Sequence, residues 1–102
     1  MAKSIMHNKQ DRTCYLCMLL NGDYDTRTDL HEHHVMPGTA NRSLSEDYGL
    51  KVYLCIQHHI FGPAAVHNNI NIQRLLQRKA QEAFEKKYSH DKWMEVFGKN
   101  FL

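Results

Sequence analysis

The sequence predicts an α+β fold in a single small domain, and three observations carry that prediction. Two short segments, 30–36 and 50–55, read as strands, the second from its β-branched and aromatic content. From Ile72 onward the apolar residues recur every three or four positions, the period of an amphipathic helix. Two close pairs of ligand-type side chains, Cys14 with Cys17 and Cys55 with His58, fit the two halves of one metal site. With 102 residues the chain buries too little surface for a comfortable core, so a staple is expected.

Residues 1–11 show no hydrophobic period and carry several polar groups, so they are expected to form a flexible arm without the apolar stretch of a secretory signal. The folded domain then spans 12–102, with a core over 12–69 and a helical tail over 70–102. Asn21-Gly22-Asp23 signals a turn, and 25–29 is polar and exposed in expectation. The first strand, 30–36, is stopped by Pro37-Gly38. A polar loop is expected over 39–49, with Asn41, Ser43 and Ser45 as turn formers, before the second strand over 50–55. Residues 56–61 allow a helical turn or two, interrupted by Gly62-Pro63. Ile72, Leu75, Leu76, Ala80, Ala83 and Phe84 form one helix face, with Asn68, Asn69 or Asn71 as its cap. Ser89 caps a last short helix whose Trp93, Met94 and Phe97 belong to the core, and Gly98 stops it.

Composition excludes several classes. Hydrophobic residues at 42% and charged residues at 24% are ordinary for a globular domain and argue against disorder. No apolar run approaches the roughly eighteen residues of a membrane span. A formal charge of +2 is mild, although eight histidines can add to it as pH falls. Three cysteines cannot all pair, so metal binding in a reducing cytoplasm is the better expectation than a disulfide framework.

Cys14, Cys17, Cys55 and His58 supply the four ligands of a tetrahedral structural zinc, each pair from one local turn. Closing a loop of roughly forty residues around one ion offsets entropy that a small core cannot cover. A second set of histidines is left over. On a strand, His33 and His34 point to opposite faces, so one can ligate an ion while the other turns to substrate. His33, His59 and His67 can hold a second divalent ion with positions left open, as catalytic metals require. His31 is either a surface residue or a substitute ligand, Glu32 either a partner of a histidine or an exposed carboxylate, and His7 and His90 are read as surface residues.

Cys14-x-x-Cys17, Glu32-His33-His34, the loop Asn41 and Leu54-Cys55-x-x-His58-His59 together resemble the HNH endonucleases. Small phage-encoded members also carry a tail like Gly62-Pro63-Ala64-Ala65-Val66-His67-Asn68, and a phage recombination-enhancement nuclease is similar more loosely. The resemblance covers residues 14–68. It implies a ββα-metal finger, a hairpin packed on a helix around a divalent ion, stabilised here by zinc. It also implies phosphodiester hydrolysis leaving a 5′ phosphate and a 3′ hydroxyl. His34 matches the general base, and His33 and His59 match metal ligands. Asn41 matches the middle Asn that ties the hairpin loop, displaced from its usual place before the second pair, where Gly49-Leu50 stand. His58 takes a position usually held by cysteine.

A base of near-neutral pKa and a cation are what phosphodiester hydrolysis needs. Arg42, Lys51 and Arg74 are the candidate phosphate contacts. The expected activity is a metal-dependent DNA endonuclease of weak sequence preference, working in the cytoplasm of a bacterial host if phage-encoded, with a recombination or packaging protein as a possible partner. Three imidazoles favour Zn2+, Ni2+ or Mn2+, and open positions also admit Mg2+. Two other readings stand beside it. A non-catalytic structural-zinc module binding nucleic acid or protein needs only the first four ligands. The other is a different metal-dependent hydrolase or a metal-sensing regulator, and a sensor needs no residue placed like His34.

Overall fold

A computed structural model describes residues 3–36 and 38–102 of the chain, and the expected strand stop at Pro37 lies outside them. Helix α1, Tyr15–Asn21, starts on the first cysteine pair: Cys14 is its N-cap, and its sulfur accepts from the Cys17 backbone N–H at 3.5 Å. Strands β1, His31–His34, and β2, Lys51–Leu54, then pair antiparallel in a two-stranded sheet. The register sets His31 opposite Leu54, His33 opposite Val52 and His34 opposite Lys51. Both strands are shorter than the β-rich segments that announce them.

The connection between the strands is a helix, α2, Thr39–Tyr48, where a polar loop is expected from the sequence. Its Asn and Ser residues favour turns in isolation, and only tertiary contacts overrule them. Ser45 is fully buried; its hydroxyl accepts from the Met36 N–H at 3.1 Å and its carbonyl from the Leu50 N–H at 2.8 Å. Tyr48 packs on Phe84, with ring centroids 5.2 Å apart. The helix ends at Gly49, where φ is +71° and a Cβ would stand 2.2 Å from the Lys3 carbonyl oxygen, so only glycine fits.

After β2 the chain makes one π-turn, Gln57–Phe61, carrying His58 and His59. Helix α3, Ile70–Lys87, is capped by Asn69 and buries Leu76, Ala80 and Phe84 on the expected face. Helix α4, His90–Phe97, is capped by Ser89 and ends at Gly98, both as the sequence expects. Its Trp93 is fully buried, packs edge-on to Phe84 and donates from Nε1 to the Lys99 carbonyl at 2.7 Å. One apolar cluster runs from Leu16 through Val52 and Leu54 to Leu76, Phe84 and Trp93, so the helical tail and the sheet share a core.

Residues 1–11 are not a loose arm from Lys3 onward. The Ile5 N–H donates to the Gly49 carbonyl at 2.9 Å, and the Ser4 hydroxyl donates to the Lys51 carbonyl. His7, expected on the surface, is only 7% exposed. The Tyr53 N–H donates to its Nδ1 at 3.1 Å, so Nε2 carries the proton and donates to Thr13 Oγ1 at 3.1 Å. The segment thus covers the outer edge of β2, giving partners to the Lys51 carbonyl and the Tyr53 N–H. Among the described residues no helix is long and apolar enough to cross a membrane.

Candidate metal centres

The N-terminus of α1 and the π-turn after β2 bring Cys14, Cys17, Cys55 and His58 together, with all four ligand atoms within 4.8 Å of one another. His58 Nδ1 lies 3.6, 3.3 and 3.4 Å from the sulfurs of Cys14, Cys17 and Cys55, and the sulfurs of Cys17 and Cys55 are 3.9 Å apart. A tetrahedron with metal–sulfur and metal–nitrogen bonds of about 2.3 and 2.05 Å has S···N and S···S edges of about 3.6 and 3.8 Å. The buried Cys3His cluster could therefore hold a zinc ion.

Without a cation such a cluster is electrostatically poor. Burial, with the neighbouring Cys14 and Cys55 sulfurs, pushes the Cys17 thiol up to about 12. Zinc reverses this by taking the thiolates as ligands. Arg27, which sequence reasoning passed over, approaches the same cluster. Cys17 foremost, then Cys55 and Asp23, hold its guanidinium above the ordinary arginine range through the negative charge each carries when ionised. Its Nη2 donates to Asp23 Oδ2 at 3.1 Å, while its Nε is buried with no partner among the described residues. Three thiolates on one Zn2+ would carry a net charge of −1, which this guanidinium would offset.

His33, His59 and His67 form a second cluster, again with ligand atoms within 4.8 Å. His33 comes from β1, His59 from the π-turn and His67 from the segment before α3. Nε2 of His59 and Nε2 of His67 lie 3.1 Å apart, within the spacing of about 3.0–3.4 Å between imidazoles bound to one ion. Burial, then the nearby His59, His67 and His34, push His33 down to about 3. Burial, followed by His67 and His31, also lowers His59. The rings of His33 and His59 are thus neutral near pH 7, the state in which an imidazole binds a cation. His31, placed on the same face of β1 as His33, brings its Nδ1 within 3.0 Å of His59 Nδ1. The period-two spacing of His31 and His33 was the available signal for this contact.

His34 turns to the other face of β1, as the alternation requires. Its Nε2 lies 3.2 Å from Glu46 Oε1 and 3.6 Å from Glu32 Oε1. Lys51, expected to contact phosphate, is 3% exposed and donates to Glu46 Oε2 at 2.7 Å, with Glu32 Oε2 at 3.6 Å. Burial of its ammonium is more than offset by the Glu46 hydrogen bond and the two carboxylate charges, so its pKa stands above the ordinary lysine value. A lysine enclosed and paired in this way is structural. Glu46, contributed by the unanticipated α2, is held below the ordinary carboxylate value by its hydrogen bonds from Lys51 and His34.

A cleft of about 600 Å³ opens between β1, α2 and α3 and is lined by His33, His34, Arg42, His59 and His67. Arg42 is exposed there, where a phosphate contact is expected. Arg74 is exposed on α3 and does not line the cleft. The Asn41 side chain makes no hydrogen bond among the described residues, so the tie across the hairpin connection falls to Ser45. His90 is exposed and pairs with Glu85 Oε2 at 2.9 Å. No family model, curated protein or solved structure matches the chain.

Proposed function

We propose that this protein is a metal-dependent DNA endonuclease of the HNH type, built as a zinc-stapled ββα-metal finger and acting in a reducing cytoplasm. The observation that carries the reading is the convergence of His33, His59 and His67 on the cleft that His34 and Arg42 also line, apart from the Cys3His cluster. A protein needing zinc for folding alone has no use for this second set. The antiparallel hairpin followed by a helical turn bearing His59 supports the same reading.

When bound by the three imidazoles, a divalent ion (Mn2+, Mg2+, Zn2+ or Ni2+) supplies positive charge against the charge that builds on the phosphate and the leaving 3′ oxygen. His34 takes a proton from water as the water oxygen bonds to phosphorus and the P–O3′ bond breaks. The departing 3′ oxygen ends as a hydroxyl by gaining a proton from solvent. Arg42 neutralises a non-bridging oxygen and orients the strand. Contacts of this kind read backbone rather than base, so cleavage has little sequence preference.

Nicking of supercoiled plasmid with each of the four metals tests the reading, comparing wild type with His34→Ala. Metal-dependent nicking, reduced by about 10²–10⁴-fold in the variant, is expected from loss of a general base. Absence of nicking with every metal, from protein holding its zinc, favours the interaction module instead.

A further inference from the structure

The two ring nitrogens of His34 have unequal surroundings. Nε2 faces Glu46 Oε1 at 3.2 Å, whereas Nδ1 has no hydrogen-bond partner among the described residues. The second oxygen of the same carboxylate accepts from Lys51 Nζ at 2.7 Å. Lys51 is the residue opposite His34 in the β-ladder, and Glu46 is carried in the last turn of α2. The three side chains therefore form a chain, Lys51 to Glu46 to His34, anchored on three separate elements. An ionised carboxylate only accepts hydrogen bonds, so His34 Nε2 has to carry the ring proton and Nδ1 the lone pair. The cluster of Glu32, His34 and Glu46 is not a third metal site: the Lys51 ammonium already supplies its cation.

We infer that Glu46 is a positioning residue for the proposed base, its carboxylate clamped by Lys51 and holding His34 in the Nε2–H tautomer with Nδ1 free to take a proton. The inference rests on the nuclease reading for its catalytic meaning, and the tautomer itself is measurable without activity. It makes an unusual prediction for an isosteric change. In Glu46→Gln the Lys51 ammonium still requires an acceptor, so the amide oxygen turns toward Lys51 and the amide nitrogen toward His34. That nitrogen donates to Nε2, which forces the ring proton onto Nδ1 and removes the base.

Imidazole 15N shifts of His34 and plasmid nicking with Mn2+ are measured for wild type, Glu46→Gln and Glu46→Ala, alongside metal content. We expect the Nε2–H form in wild type, the Nδ1–H form in Glu46→Gln and a mixture in Glu46→Ala. The expected nicking kcat falls about 10–100-fold in both variants, with KM for plasmid and metal content held. Glu46→Gln, which keeps volume and shape, decides the matter if Glu46→Ala fails to fold. An Nε2–H tautomer in Glu46→Gln, or an undiminished kcat, overturns the inference. Wild type that shows the Nε2–H tautomer, reversed in Glu46→Gln, but never nicks DNA upholds the positioning and sinks the nuclease reading alone.

Discussion

His31 and His59 meet through their Nδ1 atoms at 3.0 Å, across the gap between β1 and the π-turn. For His59 to offer Nε2 to an ion beside His67, its Nδ1 has to carry the proton and donate it to His31. With an ion held there, His31 would set the ring orientation and tautomer of His59 without being one of the three clustered histidines. His31→Ala is expected to weaken metal binding at the histidine cluster by about 10–100-fold, the usual cost of losing such a partner. Titration with Mn2+ or Zn2+ against a competing chelator measures this, and unchanged affinity would remove His31 from the site.

The Cys3His cluster ties α1 to the π-turn across roughly forty residues. Cys55→Ser replaces a thiolate with a weak hydroxyl ligand on the β2 side. We expect zinc loss and melting below ambient temperature, since metal binding of this kind supplies more free energy than the net stability of a small domain. Circular dichroism melting beside zinc analysis checks it; a wild-type melting curve in a zinc-free variant would show that the core stands alone.

Arg42 and Lys51 separate a surface contact from a structural one. Arg42→Ala is expected to weaken plasmid binding and to lower its salt slope by about 1, with stability unchanged. Lys51→Met leaves Glu32 and Glu46 facing each other without their shared cation, so it is expected to cost about 1–3 kcal/mol of stability. Salt-dependent binding and urea unfolding of the two variants should give opposite patterns.

His7 makes stability depend on pH. Its folded pKa lies below the ordinary value of 6.5, because burial disfavours the charged ring more than Asp11 favours it. Below about pH 6.5 the unfolded chain binds a proton that the native state refuses, since Nδ1 is already accepting from Tyr53. The contribution is complete above pH 6.5 and is lost as pH falls toward the lower folded value. Urea midpoints from pH 8 to pH 5 in zinc-loaded protein should fall less steeply for His7→Gln than for wild type, and parallel profiles would refute the assignment.

Much of the architecture is written in short stretches of the chain. Asn69 and Ser89 as caps, Gly98 as a stop and the face formed by Leu76, Ala80 and Phe84 depend on residues within one or two turns, so local spacing suffices to find them. The same holds for Cys14 with Cys17 and for Cys55 with His58, where each pair is set by one turn of chain. Even the placement of His33 and His34 on opposite faces follows from the alternation of a strand. Helix α2 was less legible: Ala40, Leu44 and Tyr48 are spaced for it, but its Asn and Ser residues signal turns, and burial of Ser45 and the contact of Tyr48 with Phe84 decide the outcome.

The tertiary structure alone decided which charges are spent inside the protein. Lys51 and Arg42 are both basic residues near the histidines, yet one is locked between two carboxylates and the other faces the cleft. His7, His31 and Glu46 likewise took their roles from partners 46, 28 and 12 positions away in sequence. A side chain's local sequence fixes its direction from the backbone. What it meets there, and so whether it is solvated, paired or poised to take a proton, depends on chain that folds back from elsewhere.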